Sequence, residues 1–284
     1  MWRLPRGRDQ RPLLALSLVC LIGFWAVYIV FVHTYEGQRI DDEALTGRAI
    51  AERGTAAAGD LLDTISVGAL VLAVAVLVAQ ALVRRRPDLS LVAAAIIGAS
   101  VLSAELFKDV LLTRPQLVLG PLPGQSYPSG HAAVAFSVGV AATLCVPVRL
   151  RRRTALIAVA YASAIGIATV AAGWHRPSDA AGSLLLVTAI AAAFAALADI
   201  DPASPTDIGG PAGLGDAGRY LIAGLVALLA GWLVAIGIVL ANQAGALDWT
   251  LGSAAFFGAC AAILSLASGA MAALLWAVRA SHPS

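Results

Sequence analysis

Eight apolar runs, each about as long as a bilayer is thick, leave this chain few folds to choose from. They cover Leu13–His33, Leu61–Val83, Leu89–Leu112, His131–Val148, Ala155–Ala172, Ala180–Ala198, Leu221–Ala241 and Leu251–Val278. A helix of about 20 such residues crosses a ~30 Å hydrocarbon layer. Inside that layer every backbone N–H and C=O must be paired within the segment, which a helix does and an isolated strand does not. The expected fold is therefore all-α, a polytopic membrane helix bundle. Composition agrees, with 60% hydrophobic and 13% charged residues, far from a soluble average. The net charge of +2 is too small to suggest a nucleic-acid partner. Alanine, glycine and serine are frequent in the runs, which permits close helix packing in lipid.

The first run follows Arg3, Arg6, Arg8 and Arg11, as a signal peptide would. It is longer than a signal-peptide core, and no small-residue cleavage pattern precedes the charged "HTYEGQRIDDE", so it reads as a retained span. The leader arginines, Arg84-Arg85-Arg86, the "RLRRR" of 149–153 and Arg279 all fall at ends of one parity. The positive-inside rule places that parity, and both termini, in the cytoplasm. The segment "DIDPASPTDIGGPAGLGDAG" is rich in turn formers and reads as a flexible cytoplasmic connection. It divides the chain into a six-span core (1–198), a connection (199–219) and a terminal pair of spans (220–284). Cys20, Cys145 and Cys260 lie in apolar runs and form neither a disulfide framework nor a metal-ligand spacing.

The remaining polar residues in the spans carry the chemistry. Lys108, the only lysine, sits near the outer end of the third span in "AELFKDVLLTRPQL", flanked by Glu105 and Asp109. Ionisable groups at membrane depth mark either a functional site or a paired structural network. Taken singly, each has an ordinary explanation. Lys108 and Glu105 can form an ion pair on one helix face. Arg114 can anchor at the interface, and Asp179 can cap a helix with Ser178. Convergence changes the balance. Lys108, Arg114, Ser129, Gly130, His131, His175 and Asp179 fall at three consecutive outward ends of spans. A lysine, a forked arginine and the N–H groups of a helix N-terminus make an anion site suited to phosphate. Two histidines beside it offer a nucleophile and an acid, and a neighbouring carboxylate can hold one imidazole in its tautomer.

The segments "KDVLLTRP", "PSGH" and "ATVAAGWHRPSD" resemble the three motifs of the type 2 phosphatidic acid phosphatase superfamily, which shares its site with vanadium haloperoxidases. The resemblance covers about Leu89 to Ala198 and implies that the first six spans form the family's six-helix core. It implies His175 as the nucleophile that becomes a phosphohistidine, Asp179 as its orienting partner and His131 as the acid for the leaving oxygen. Lys108, Arg114, Ser129 and Gly130 would bind phosphate, with no metal or other cofactor required. The implied function is a lipid phosphate or pyrophosphate phosphatase at the extracytoplasmic face of a bacterial plasma membrane. Its partners would be a phosphorylated lipid and the bilayer.

Two departures stand out. Five residues separate Lys108 from Arg114, where the family has six. One residue turns a helical side chain by about 100°, so Lys108 needs a local irregularity to reach the site. The family's phosphate-binding arginine, six residues before the nucleophile, is replaced by Thr169; Arg176 is the nearest substitute. A catalytically silent phospholipid-binding or lipid-moving protein of the same fold is the alternative reading.

Overall fold

The structure, a computed structural model, describes residues 9–49, 55–63, 65–198 and 251–281, with isolated positions between 222 and 240. Nine α-helices and no strand occur among the described residues. They are α1 (Arg11–Val27), α2 (Tyr35–Thr46), α3 (Thr55–Asp63), α4 (Val67–Val83), α5 (Pro87–Leu106), α6 (Gly130–Cys145), α7 (Val148–Ala171), α8 (Pro177–Leu197) and α9 (Leu251–Ala280). Short π-helical turns, Tyr28–Val32 and Phe107–Leu111, extend α1 and α5.

Local chemistry sets most helix starts. Pro12, Pro87 and Pro177 occupy the first turns of α1, α5 and α8, where a missing N–H costs nothing. Thr34, Ser66 and Ser129 cap α2, α4 and α6 through their side-chain oxygens. Among the described residues, five helical stretches are long and apolar enough to cross a membrane: Arg11–Val32, Pro87–Leu111, Val148–Ala171, Pro177–Leu197 and Gly252–Ala280. Two shorter apolar helices, Gly68–Val83 and Gly130–Cys145, lie among them. The chain is thus a multi-pass helical membrane bundle. The expected span at Leu221–Ala241 and the 199–219 connection lie outside the described residues, apart from isolated positions.

One expectation needs correction, and one element was not foreseen. The run Leu61–Val83 is not one helix: α3 ends at Asp63 and α4 begins at Val67. The Ser66 hydroxyl accepts the Ala69 N–H at 3.1 Å, so the side chain competes for the backbone and starts a new helix there. The charged segment after the first span, to which the apolar pattern assigns no element, is helical. It folds as α2, whose buried face includes Gln38, Asp41, Asp42 and Leu45.

The helices that carry the motifs are central. α6 packs against α4, α5, α7 and α8, while α8 packs against α1, α5, α6 and α9. Their buried faces are built largely from alanine, including Ala132, Ala133, Ala135, Ala180, Ala191, Ala192 and Ala195. Without a hydrophobic drive in lipid, such small residues hold helices by close packing. Leu18, Val19 and Ile22 on α1, Val71, Leu72 and Val76 on α4 and Leu156 and Ile157 on α7 face outward, as lipid-facing side chains must. The terminal helix α9 lies against α1, α2, α7 and α8. At the C-terminal end of α6, Arg84 donates to the Cys145 carbonyl and Arg151 to the Leu144 carbonyl (3.4 Å), placing cations where unpaired carbonyls collect. The motif residues gather at the opposite end.

Candidate active site

His175 lies in the turn between α7 and α8. The backbone N–H groups of Trp174 and His175 both donate to the Thr169 carbonyl (3.0 and 3.2 Å), which folds the chain back sharply after α7. The buried imidazole places Nδ1 3.1 Å from the Ser126 carbonyl oxygen and 3.3 Å from Asp179 Oδ2. A carbonyl only accepts, so Nδ1 carries the proton and Nε2 holds the lone pair. Asp179 also accepts the Arg176 N–H at 2.8 Å, closing a capping box at the start of α8. One carboxylate therefore caps the helix and fixes the imidazole.

The next motif is locked onto the same helix. The Ser129 N–H donates to the Asp179 carbonyl (3.0 Å), and the Ser183 hydroxyl donates to the Ser129 carbonyl (2.7 Å). Tyr127 is fully buried and donates to the Phe24 carbonyl of α1 at 2.6 Å, and burial pushes its phenol pKa up. Its peptide bond to Pro128 is cis. The Ser129 hydroxyl caps α6 by accepting the Ala132 N–H (3.4 Å), which leaves its own O–H as a donor.

A cavity of about 320 Å³ opens beside these groups, lined by Ile65, Ser66, Leu70, Val101, Glu105, Lys108, Gly130, His131, Val134 and His175. Three expected residues, Gly130, His131 and His175, share it with Lys108. The two imidazole rings have centroids 6.5 Å apart. The irregularity required for Lys108 is present: the π-helical turn Phe107–Leu111 closes with the Leu112 N–H on the Phe107 carbonyl (2.9 Å) and contains Lys108. Lys108 Nζ pairs with Glu105 Oε2 at 2.5 Å. The Glu105 carboxylate lies over the N-terminus of α6, so close that a Cβ on Gly130 would collide with it. An acidic side chain thus rests where an anion would be drawn.

Arg114 stands in the segment after α5, which Tyr28 pins through its hydroxyl to the Thr113 carbonyl (2.7 Å) and N–H (3.1 Å). Both terminal guanidinium nitrogens are buried and have no hydrogen-bond partner among the described residues. Burial and the neighbouring Arg176 lower its pKa, while Asp179, Asp41 and Asp42 oppose the shift. Those neighbours place its charge close to the His175–Asp179 pair.

Arg176 behaves differently from expectation. Its Nε donates to Asp42 Oδ1 (2.8 Å), one terminal nitrogen donates to Ser126 Oγ (3.2 Å) and the other to the Leu122 carbonyl. It is 2% exposed, and each of its three nitrogens already donates to the protein, so the geometry does not favour Arg176 as the substitute phosphate ligand. Thr169 is fully buried and returns its hydroxyl to the Gly166 carbonyl (2.7 Å). Sequence reasoning missed Gln38, Asp41, Asp42 and Ser126. Gln38, Asp41, Asp42 and Leu45 do recur at helical spacing, but three of them are polar, so an apolar periodicity does not register them. Among the described residues, no three His, Cys, Asp or Glu side chains group as a metal-ligand set.

The chain matches the family model described as the PAP2 superfamily over residues 60–201, and it belongs to that superfamily. No curated protein and no solved structure matches the chain significantly. Fold and family together define a phosphatase-like membrane protein.

Proposed function

We propose that the protein is a lipid phosphate phosphatase that works through a phosphohistidine on His175. The observation that carries this reading is the tautomer of His175. Nδ1 is held by Ser126 and Asp179, leaving Nε2 as the nucleophilic nitrogen of a side chain that lines a cavity with Lys108 and His131. Nε2 attacks phosphorus, the P–O bond to the lipid alcohol breaks, and His131 gives its proton to the leaving oxygen. His131 then takes a proton from water, which attacks the phosphoryl group and frees inorganic phosphate and Nε2. Lys108, Arg114 and the N-terminus of α6 stabilise the transferring group's charge. This assigns the cationic role to side chains and needs no metal.

Two features support a lipid. The cavity wall continues from the polar groups into Ile65, Leu70, Val101 and Val134. With 16 residues, α6 is about 24 Å long, shorter than the ~30 Å hydrocarbon layer, so its N-terminal cradle suits a headgroup at the membrane boundary. The positive-inside pattern supports cytoplasmic termini and an extracytoplasmic site.

Thr169 and the engaged Arg176 favour a second reading, a silent relative that binds lipid phosphate without turnover. Phosphate release from a panel of lipid phosphates and pyrophosphates by purified protein, in chelator, separates the two. The phosphatase reading expects turnover that vanadate blocks and His175→Ala abolishes. Wild-type protein that binds these lipids but turns over no better than His175→Ala supports the silent reading.

A further inference from the structure

We propose that α2 is a positioning element for phosphoryl transfer: Gln38 sets the segment that carries Arg114, while Asp41 and Asp42 set the turn that carries His175. The inference rests on reading the site as a phosphoryl-transfer centre, and it gives a role to a helix outside the family motifs.

Gln38, Asp41 and Asp42 are 1%, 2% and 6% exposed, and they share one face of α2. Burying a neutral amide and two carboxylates is costly unless every polar atom is used. Here they are used on the two loops that hold the chemistry. Gln38 donates to the Pro115 carbonyl (2.6 Å) and the Val32 carbonyl (2.7 Å) and accepts from the N–H groups of Leu117 and Val118 (3.2 and 3.3 Å). Three of these bonds fix the segment immediately after Arg114, and the fourth ties it to the end of the first span. Asp41 accepts the Ser178 N–H (3.1 Å) and the Ser178 hydroxyl, so it supplies a carboxylate to the N-terminus of α8 from another helix. Asp42 takes Arg176 Nε at 2.8 Å and is pressed against Gly120, where any Cβ would overlap its carboxylate.

A continuous route links α2 to the nucleophile. Asp42 holds Arg176, Arg176 holds Ser126 Oγ, and the Ser126 carbonyl accepts from His175 Nδ1. Arg176 also holds Leu122, so the loop between α5 and α6 and the turn before α8 are tied at one guanidinium. Behind α2 lies α9, which packs along it. The terminal helix thereby backs the element that aligns the site, without reaching the site itself.

The test measures lipid phosphate turnover, vanadate inhibition and melting temperature in one detergent. It also measures acylation of His175 relative to His131 by diethyl pyrocarbonate, read by peptide mass spectrometry. Displacing a positioned group by about 1 Å can cost on the order of 100-fold. Gln38→Ala is therefore expected to lower kcat/KM and to raise the vanadate inhibition constant at least about tenfold, because it loosens Arg114, while leaving the His175:His131 acylation ratio near the wild-type value. Asp42→Asn is expected to lower kcat at least about tenfold with KM little changed, and to raise the His175:His131 acylation ratio. Because Asp42→Asn leaves a buried guanidinium without its counter-charge, the double variant Asp42→Leu/Arg176→Met is the folded control that removes the clamp with no orphan charge. It should show the same raised acylation ratio. Unchanged ratios in both Asp42 variants, or kcat and KM falling in step with melting temperature in all three, would overturn the proposal. If wild-type protein releases no phosphate, the phosphatase reading fails, and the acylation ratio alone decides whether α2 holds the His175 turn.

Discussion

Two arginines whose charges feel one another, each followed by proline, have opposite fates. Arg176-Pro177 stands in a closed network in which the guanidinium meets Asp42, Ser126 and Leu122. Arg114-Pro115 carries two buried terminal nitrogens with no partner among the described residues. A buried charge that is fully matched holds structure. A buried donor pair left unmatched is expensive to keep, and the expense makes sense when an anionic ligand completes it. The same contrast runs through the site: α2 and the Arg176 turn form a satisfied, closed half, whereas Lys108, Arg114, His131 and the α6 N-terminus form an open one.

The sharpest way to break that comparison is to truncate each arginine. Arg114→Ala should cut turnover by about 100- to 1000-fold, the scale of a lost oxyanion donor, with little change in melting temperature. Arg176→Ala should instead cost about 3–5 kcal/mol of stability, because Asp42 is left as an uncompensated buried carboxylate. Thermal melts and kinetics on the two purified variants check this; equal behaviour would dissolve the contrast.

A smaller effect concerns Asp41. Burial, reinforced by the charge of Asp179, raises its pKa from 3.8 to about 7, against the lowering pull of Ser178 and Arg114. A carboxyl whose folded pKa lies above its unfolded value binds more protons in the folded state between the two. Its contribution to stability is therefore complete below about pH 4 and is lost as pH rises to about 7. Asp41→Asn keeps an acceptor for the Ser178 N–H and removes the titration. Melting temperatures from pH 5 to 8 should fall less steeply for Asp41→Asn than for wild type. Parallel curves would show that Asp41 does not titrate there.

Glu105→Gln should have the smallest effect. Its ion pair with Lys108 is partly exposed, and such pairs are worth about 0.2–1 kcal/mol. Freeing Lys108 should tighten vanadate inhibition by about 1.5- to 5-fold at that energy. Weaker inhibition would mean that Glu105 steers Lys108 rather than competing with the anion.

The bundle was legible because apolar length and backbone pairing in lipid leave almost no alternative to helices, and the motif residues Lys108, Gly130, His131 and His175 could be read as one cluster from span parity. What was hidden depended on tertiary partners. Nothing in "RPS" reveals that Arg176 is bound by a carboxylate 134 residues away. Asp41 and Asp42 carry no sequence signal of their role, because buried carboxylates are rare and take their meaning from Ser178 and Arg176. The break at Ser66 was masked by the continuous apolar composition of Leu61–Val83. The π-helical turn at Lys108 could be inferred only as a need, from a spacing one residue short.

The central claim is that Nε2 of His175 takes the phosphoryl group. Rapid acid-free quenching of the purified protein with a labelled lipid phosphate, followed by peptide mass spectrometry under alkaline conditions, tests it directly. The account predicts a base-stable, acid-labile phosphoryl group on His175 that forms within one turnover and is absent from His175→Ala. Steady phosphate release with no phosphorylated His175 at any time point would contradict it.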